Sequence, residues 1–156
     1  SKAVDWGTLL LFGGGIALSE AIFRTGLAGW IASSFIGLVG HPGTLLLTFM
    51  IVILMAFLTE VTSNTAVTSM MVPVVIVIAR SSGADPTTLS VAAAVAASMA
   101  FMLPVATPPI ALVYGTGRVS ITAMIKAGFF LEITGWFLTV GVLYVIGDLI
   151  LGVLKF

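Results

Sequence analysis

Ser63, Asn64 and Thr65 put two hydroxyls and an amide in the middle of a long apolar segment, with LLLTFMIVILMAF before them and VVIVIA after. A second unusual stretch, LPVATPPIALVYGTG, begins at Leu103 and contains Pro104, Pro108 and Pro109. These prolines cannot all sit inside a continuous helix, and the residue before each is pushed out of the helical region. The spacing predicts a helix that breaks near Val105–Pro108 and restarts near Pro109, a good first-turn residue. Two interruptions in an apolar chain suggest one chemistry. Each break exposes a helix C-terminus, with bare carbonyls and partial negative charge, and a helix N-terminus, with bare N–H groups and partial positive charge. Carbonyls suit a hard cation such as sodium. The N–H groups, with the Ser63 and Thr65 hydroxyls and the Asn64 amide, suit a carboxylate or similar oxyanion.

The elements around these breaks are membrane spans. Of 156 residues, 60% are hydrophobic and 8% charged, with a mean hydropathy of +1.26. Soluble domains are about 25% charged, so the composition points to an all-α, polytopic membrane protein. With no cysteine, the chain has no disulfide framework and no thiolate metal site. Net charge is zero and no basic cluster suggests a nucleic-acid partner. The first apolar run has no basic region before it and no cleavage site after it, so it reads as a span and not as a leader. The chain begins at Ser1 and reads as processed or as part of something larger.

Trp6–Ile22 is long enough to cross a bilayer, and its Gly13-Gly14-Gly15 triplet suits close helix packing. Leu27, Trp30, Ile31, Phe35 and Leu38 recur at helical spacing, which predicts an amphipathic helix at the interface with Trp30 as its anchor. Gly40-His41-Pro42-Gly43 is a turn, and His41, the only histidine, reads as a loop residue. Thr44–Arg80 is too long for a single span and reads as two arms, Thr44–Val61 and Ala66–Ala79, joined by Thr62–Thr65. A polar loop, Arg80–Pro86, follows, with Thr87 or Thr88 as the cap of the next helix. That helix, SVAAAVAASMAFM, is built of small residues and predicts tight contact. After a polar connection, Gly115–Ala127, with Arg118 and Lys126 comes the last span, Phe129–Leu154, with Gly135 and Gly141 as candidate bends and Glu132, near its start, expected at the interface.

Irregular backbone at membrane depth survives only inside protein or beside a water-filled cavity. No Lys or Arg occurs from Leu54 to Ile78 or from Thr87 to Gly117. An anion brought to these breaks therefore needs its charge offset, and co-bound cations are the simplest source. The pattern points to cation-coupled anion uptake. The bland alternative is that Ser63, Asn64 and Thr65 are interhelical hydrogen-bond glue. Glu60, the one acid in the central block, is either functional or a carboxylate paired at a boundary. No Ser/His or paired-Asp arrangement and no HExxH motif supports an enzyme.

FLTEVTSNTA, followed about 40 residues later by SMAFMLPVATPPIALVYGTG, resembles the divalent anion/sodium symporter family of sodium-coupled dicarboxylate, citrate and sulfate carriers. The resemblance covers most of the chain. It implies an elevator-type fold of two inverted repeats, each with a re-entrant helical hairpin bearing Ser-Asn-Thr at its tip and then a broken transmembrane helix. One such tip occurs here, so the chain resembles the C-terminal repeat, with 1–43 as scaffold helix and interfacial arm. Residues 44–156 would be the transport domain: hairpin 44–80, broken helix 87–116 and last helix 120–154. By resemblance, sodium would be bound by carbonyls of Thr59, Thr62 and Ala106 and by the Asn64 side-chain oxygen. A substrate carboxylate would meet Ser63, Asn64 and Thr65, with Thr107 and Pro108 as the facing wall. The implied partners are a small dicarboxylate, the N-terminal half of the same transporter, a second copy in a homodimer and the lipid of an inner (plasma) membrane. The family often has Asn after its two prolines; here Ile110 stands there. Sulfate or citrate transport, proton coupling, and a structural or channel-like subunit remain alternatives.

Overall fold

The computed structural model describes residues 10, 13–14, 17, 20–40, 42–104 and 107–146. In order come α1 (Leu27–Val39), α2 (Thr44–Val61), α3 (Asn64–Ser82), α4 (Pro86–Ala96), α5 (Pro108–Gly115) and α6 (Ile121–Ile146), with residues 20–24 also helical. The described residues contain no strand, and α2, α3 and α6 are each long and apolar enough to cross a membrane. The all-α polytopic expectation holds. His41 and Gly15 lie outside the described residues.

α3 packs most extensively, between α1 on one side and α4 on the other, and α4 also meets α2 and α6. The sequence of α4 explains why three helices can converge on it. Ala92, Ala93 and Ala96 are fully buried, and their small side chains let neighbouring backbones approach. Against them lie Leu47, Ile51 and Met55 of α2 and Val75 and Ile78 of α3, all at most 2% exposed. The α2–α6 contact includes two aromatic pairs: Phe49–Phe137, with ring centroids 5.0 Å apart, and Phe57–Trp136 at 5.8 Å.

α1 buries Ala32 fully and Ile31 and Phe35 partly, whereas Leu27, Trp30 and Leu38 stay exposed. Several local expectations are corrected. The second hairpin arm is longer than Ala66–Ala79: α3 starts at Asn64, runs through Pro73 and ends at Ser82. Arg80-Ser81-Ser82 is thus helical, and Gly83, in the left-handed region at φ 73°, closes the helix. The next cap is neither Thr87 nor Thr88. Asp85 caps α4, its Oδ2 accepting from the Thr88 N–H at 2.7 Å and the Thr88 hydroxyl at 2.8 Å, with Pro86 opening the first turn. α6 runs unbroken through Gly135 and Gly141. An added Cβ on Gly13 or Gly14 would meet no atom within 4 Å, so the close packing expected there does not come from the described residues.

Candidate functional site

The first break is short. α2 ends at Val61, Thr62 and Ser63 are extended, and α3 begins at Asn64. Ser63 is the N-cap, which sets Asn64 and Thr65 in the first turn of a 19-residue helix, where bare N–H groups and the positive end of the dipole lie. The Ser63 side chain makes no capping bond, so its hydroxyl is left for other partners. The expected four-residue linker Thr62–Thr65 is therefore two residues long, and the amide and hydroxyl sit on the helix itself.

Asn64, Thr65, Thr68, Ser69 and Ser98 line an open cavity of about 250 Å³ whose walls carry hydroxyls and an amide. The Thr68 hydroxyl donates to the Asn64 carbonyl at 2.7 Å and the Ser69 hydroxyl to the Thr65 carbonyl at 2.8 Å. Asn64 Oδ1 is buried with no hydrogen-bond partner. An acceptor stripped of water and left unpaired costs about 1–3 kcal/mol, which suits a cation in this position. Opposite polarity comes from the α3 N–H groups, Asn64 Nδ2 and the Thr65 and Ser98 hydroxyls. The site can thus receive both an oxyanion and a hard cation.

The residues proposed to hold sodium fit that ion in part. Thr59 is fully buried near the α2 C-terminus, and its own hydroxyl donates to the Ala56 carbonyl at 2.9 Å. Its carbonyl and that of Thr62 belong to the helix end that lacks intrahelical partners. Ala106 lies outside the described residues. Thr107 is the extended N-cap of α5 and Pro108 its first residue, so the restart falls one residue before Pro109. The cavity walls include Asn64 and Thr65 together, and Thr107 is not among their described residues. Ile110 lines a different cavity, apolar and about 540 Å³, between α5 and α6 with Val113, Met124 and Leu131. The position of the family asparagine therefore does not face the polar cavity.

The second break departs furthest from expectation. α4 stops at Ala96, not near Val105, and residues 99–104 are non-helical. Two carboxyls explain it. Glu60 Oε1 accepts the Met102 N–H at 2.8 Å and Oε2 the Leu103 N–H at 2.7 Å, while Glu132 Oε1 accepts from Phe101 at 3.4 Å. These side chains supply the partners that a continued helix would have given. Glu132 is 0% exposed and lies well inside α6, which overturns its expected interface position. One turn earlier, Gly128 makes room: an added Cβ would stand 2.4 Å from the Phe101 carbonyl oxygen. Sequence reasoning left Glu60 open and missed Glu132, Gly128 and Ser98. The i, i+4 spacing of Gly128, Glu132 and Trp136 was the available sign of a packed face.

Residues 1–153 match the family model described as "Sodium:sulfate symporter transmembrane region". The chain is also 40% identical over 153 residues to the sodium-dependent dicarboxylate transporter SdcS of Staphylococcus saprophyticus, covering 98% of this chain and 29% of that protein. The same protein from Staphylococcus aureus strain MRSA252 is 40% identical over the same shares. The chain thus spans under a third of the length of these relatives. On the family match and these identities, the chain belongs to the sodium:sulfate symporter family of integral membrane proteins.

Proposed function

We propose that the chain is the C-terminal part of a secondary transporter that couples sodium entry to uptake of divalent anions, with C4-dicarboxylates such as succinate as substrate. The observation that carries this reading is the polar cavity at the hairpin tip, where a buried unpaired acceptor, Asn64 Oδ1, adjoins the N-terminal turn of α3. The relatives' names, sodium-dependent dicarboxylate transporter, support it. Asn64 and the Thr59 and Thr62 carbonyls would hold sodium, with Ala106 completing the set. Sodium would supply positive charge beside an anion that no nearby Lys or Arg neutralises. Ser63, Asn64 and Thr65 would orient the carboxylate through hydroxyl, amide and backbone donors, and Thr107 and Pro108 would face it.

In this reading residues 44–156 move as a transport domain against a scaffold that includes 1–43, in a homodimer completed by the N-terminal half and set in the plasma membrane. Because α1 packs on α3, such a movement would have to slide or carry that contact. A second reading, sulfate as substrate, rests on the description of the matched family. The test is binding of radiolabelled succinate to the purified full-length protein, in sodium and with choline replacing it. Binding in sodium alone is expected. Equal binding in both would contradict sodium coupling. Absence in both, with sulfate bound in sodium, would move the reading to sulfate, and absence of all three would favour a structural subunit.

A further inference from the structure

Four long-range hydrogen bonds from side chains converge on residues 99–103. Glu60 takes the amides of Met102 and Leu103, Glu132 takes that of Phe101, and the Thr139 hydroxyl reaches Met99 Sδ at 3.7 Å. The anchors come from two helices, α2 and α6, 31 to 43 residues away in sequence. Their target is the piece of backbone that no helix supports. Glu60 is the strongest anchor, since both of its oxygens are engaged at charge-assisted distances and the side chain is 3% exposed. Glu132 makes one longer bond to the stretch and lies against the Glu60 carboxyl.

The location of Glu60 gives this clamp a consequence. It is two residues before Thr62, on the last turn of α2. A single side chain thus ties the first break to the second. Ser98, which lines the cavity at the hairpin tip, lies just before the clamped stretch, and Thr107 lies after it.

We infer that Glu60, seconded by Glu132, is a positioning residue: its carboxylate fixes the unwound stretch of the second interrupted helix and so sets where Ser98 and Thr107 stand relative to the hairpin tip. Its role is indirect, since its oxygens are occupied by backbone N–H groups and it does not line the polar cavity. Removing it strands two amides whose alternative is to rearrange. Glutamine keeps one acceptor oxygen but sets an NH2 against the other amide, so it should hold the stretch partly.

The uptake arm of the test rests on the transport reading; the labelling arm does not. In the full-length protein, a cysteine replaces Met102, which is buried, and a control cysteine replaces the exposed Leu38. Glu60→Ala should raise the labelling rate at position 102 about tenfold, with position 38 unchanged and Glu60→Gln intermediate. In the parent background, Glu60→Ala should raise KM for succinate by about tenfold with a smaller change in Vmax, and glutamine should restore part of it. If the alanine variant does not fold, the glutamine variant decides alone. Increased labelling at 102 but not at 38 supports the clamp; unchanged labelling overturns it. Labelling that rises equally at both positions, or a loss in Vmax alone with labelling unchanged, also overturns it. If the parent protein takes up no succinate, the transport reading fails while the labelling result still judges the clamp.

Discussion

The two helix breaks solve the same physical problem in opposite ways. At the hairpin tip the break is two residues long, and its polar groups are left without partners: a Ser63 hydroxyl that makes no capping bond, a buried Asn64 oxygen and the first-turn N–H groups of α3. At the second break the chain is non-helical from Met99 to Pro104, and amides at 101–103 are turned inward onto buried carboxyl groups. The first break leaves its hydrogen-bonding capacity unspent within the protein. The second has used its capacity on the protein itself. The difference separates a receptor from a support: a site needs unsatisfied groups held in place, and what holds them must be satisfied elsewhere.

Substitutions that strike the support should cost stability, and those that strike the receptor should cost binding. The largest effect is expected at Gly128. Its alanine variant would drive Cβ to 2.4 Å from the Phe101 carbonyl oxygen and 2.7 Å from Met102 Cα, both backbone atoms that cannot swing aside. Gly128→Ala should destabilise by roughly 3 kcal/mol, seen as a lowered melting temperature in detergent. An unchanged melt would mean that the second break does not rest on α6.

Ser98→Ala should do the reverse. It removes one hydroxyl from the cavity wall, where the side chain is exposed and supports no packing. The melt should be unchanged and substrate affinity should fall about fivefold, the worth of one neutral hydrogen bond of about 1 kcal/mol. A lowered melt with unchanged affinity would assign Ser98 to the support. An effect on stability alone belongs to Asp85→Ala, at the N-terminus of α4. Losing the cap on the Thr88 amide should cost about 1 kcal/mol of stability and leave affinity alone.

Composition and proline spacing made the membrane class and the existence of both breaks legible. The Ser-Asn-Thr tip was legible because hydroxyls and an amide in an apolar run have few other uses. The early end of α4 was not. SMAFM contains no local breaker, and the partners that stabilise its unwinding sit on α2 and α6, where no pattern in SMAFM reveals them. Glu132 was misjudged for a related reason: α6 begins at Ile121, so a residue that looked terminal lies three turns inside the helix. The Asp85 cap was legible in principle, since Asp-Pro before an apolar run is a strong helix start. The notched face of α6 at Gly128 shows only when the backbone that fills it is known.

Asn64 carries the most weight, because it supplies the unpaired buried oxygen and, in the proposed function, a donor to the anion. The decisive measurement is succinate binding to full-length protein bearing Asn64→Ala, in sodium and in choline, beside a thermal melt of the same sample. The account predicts a native-like melt with sodium-dependent binding abolished. Retained sodium-dependent binding by the folded variant would contradict the placement of the site at the hairpin tip.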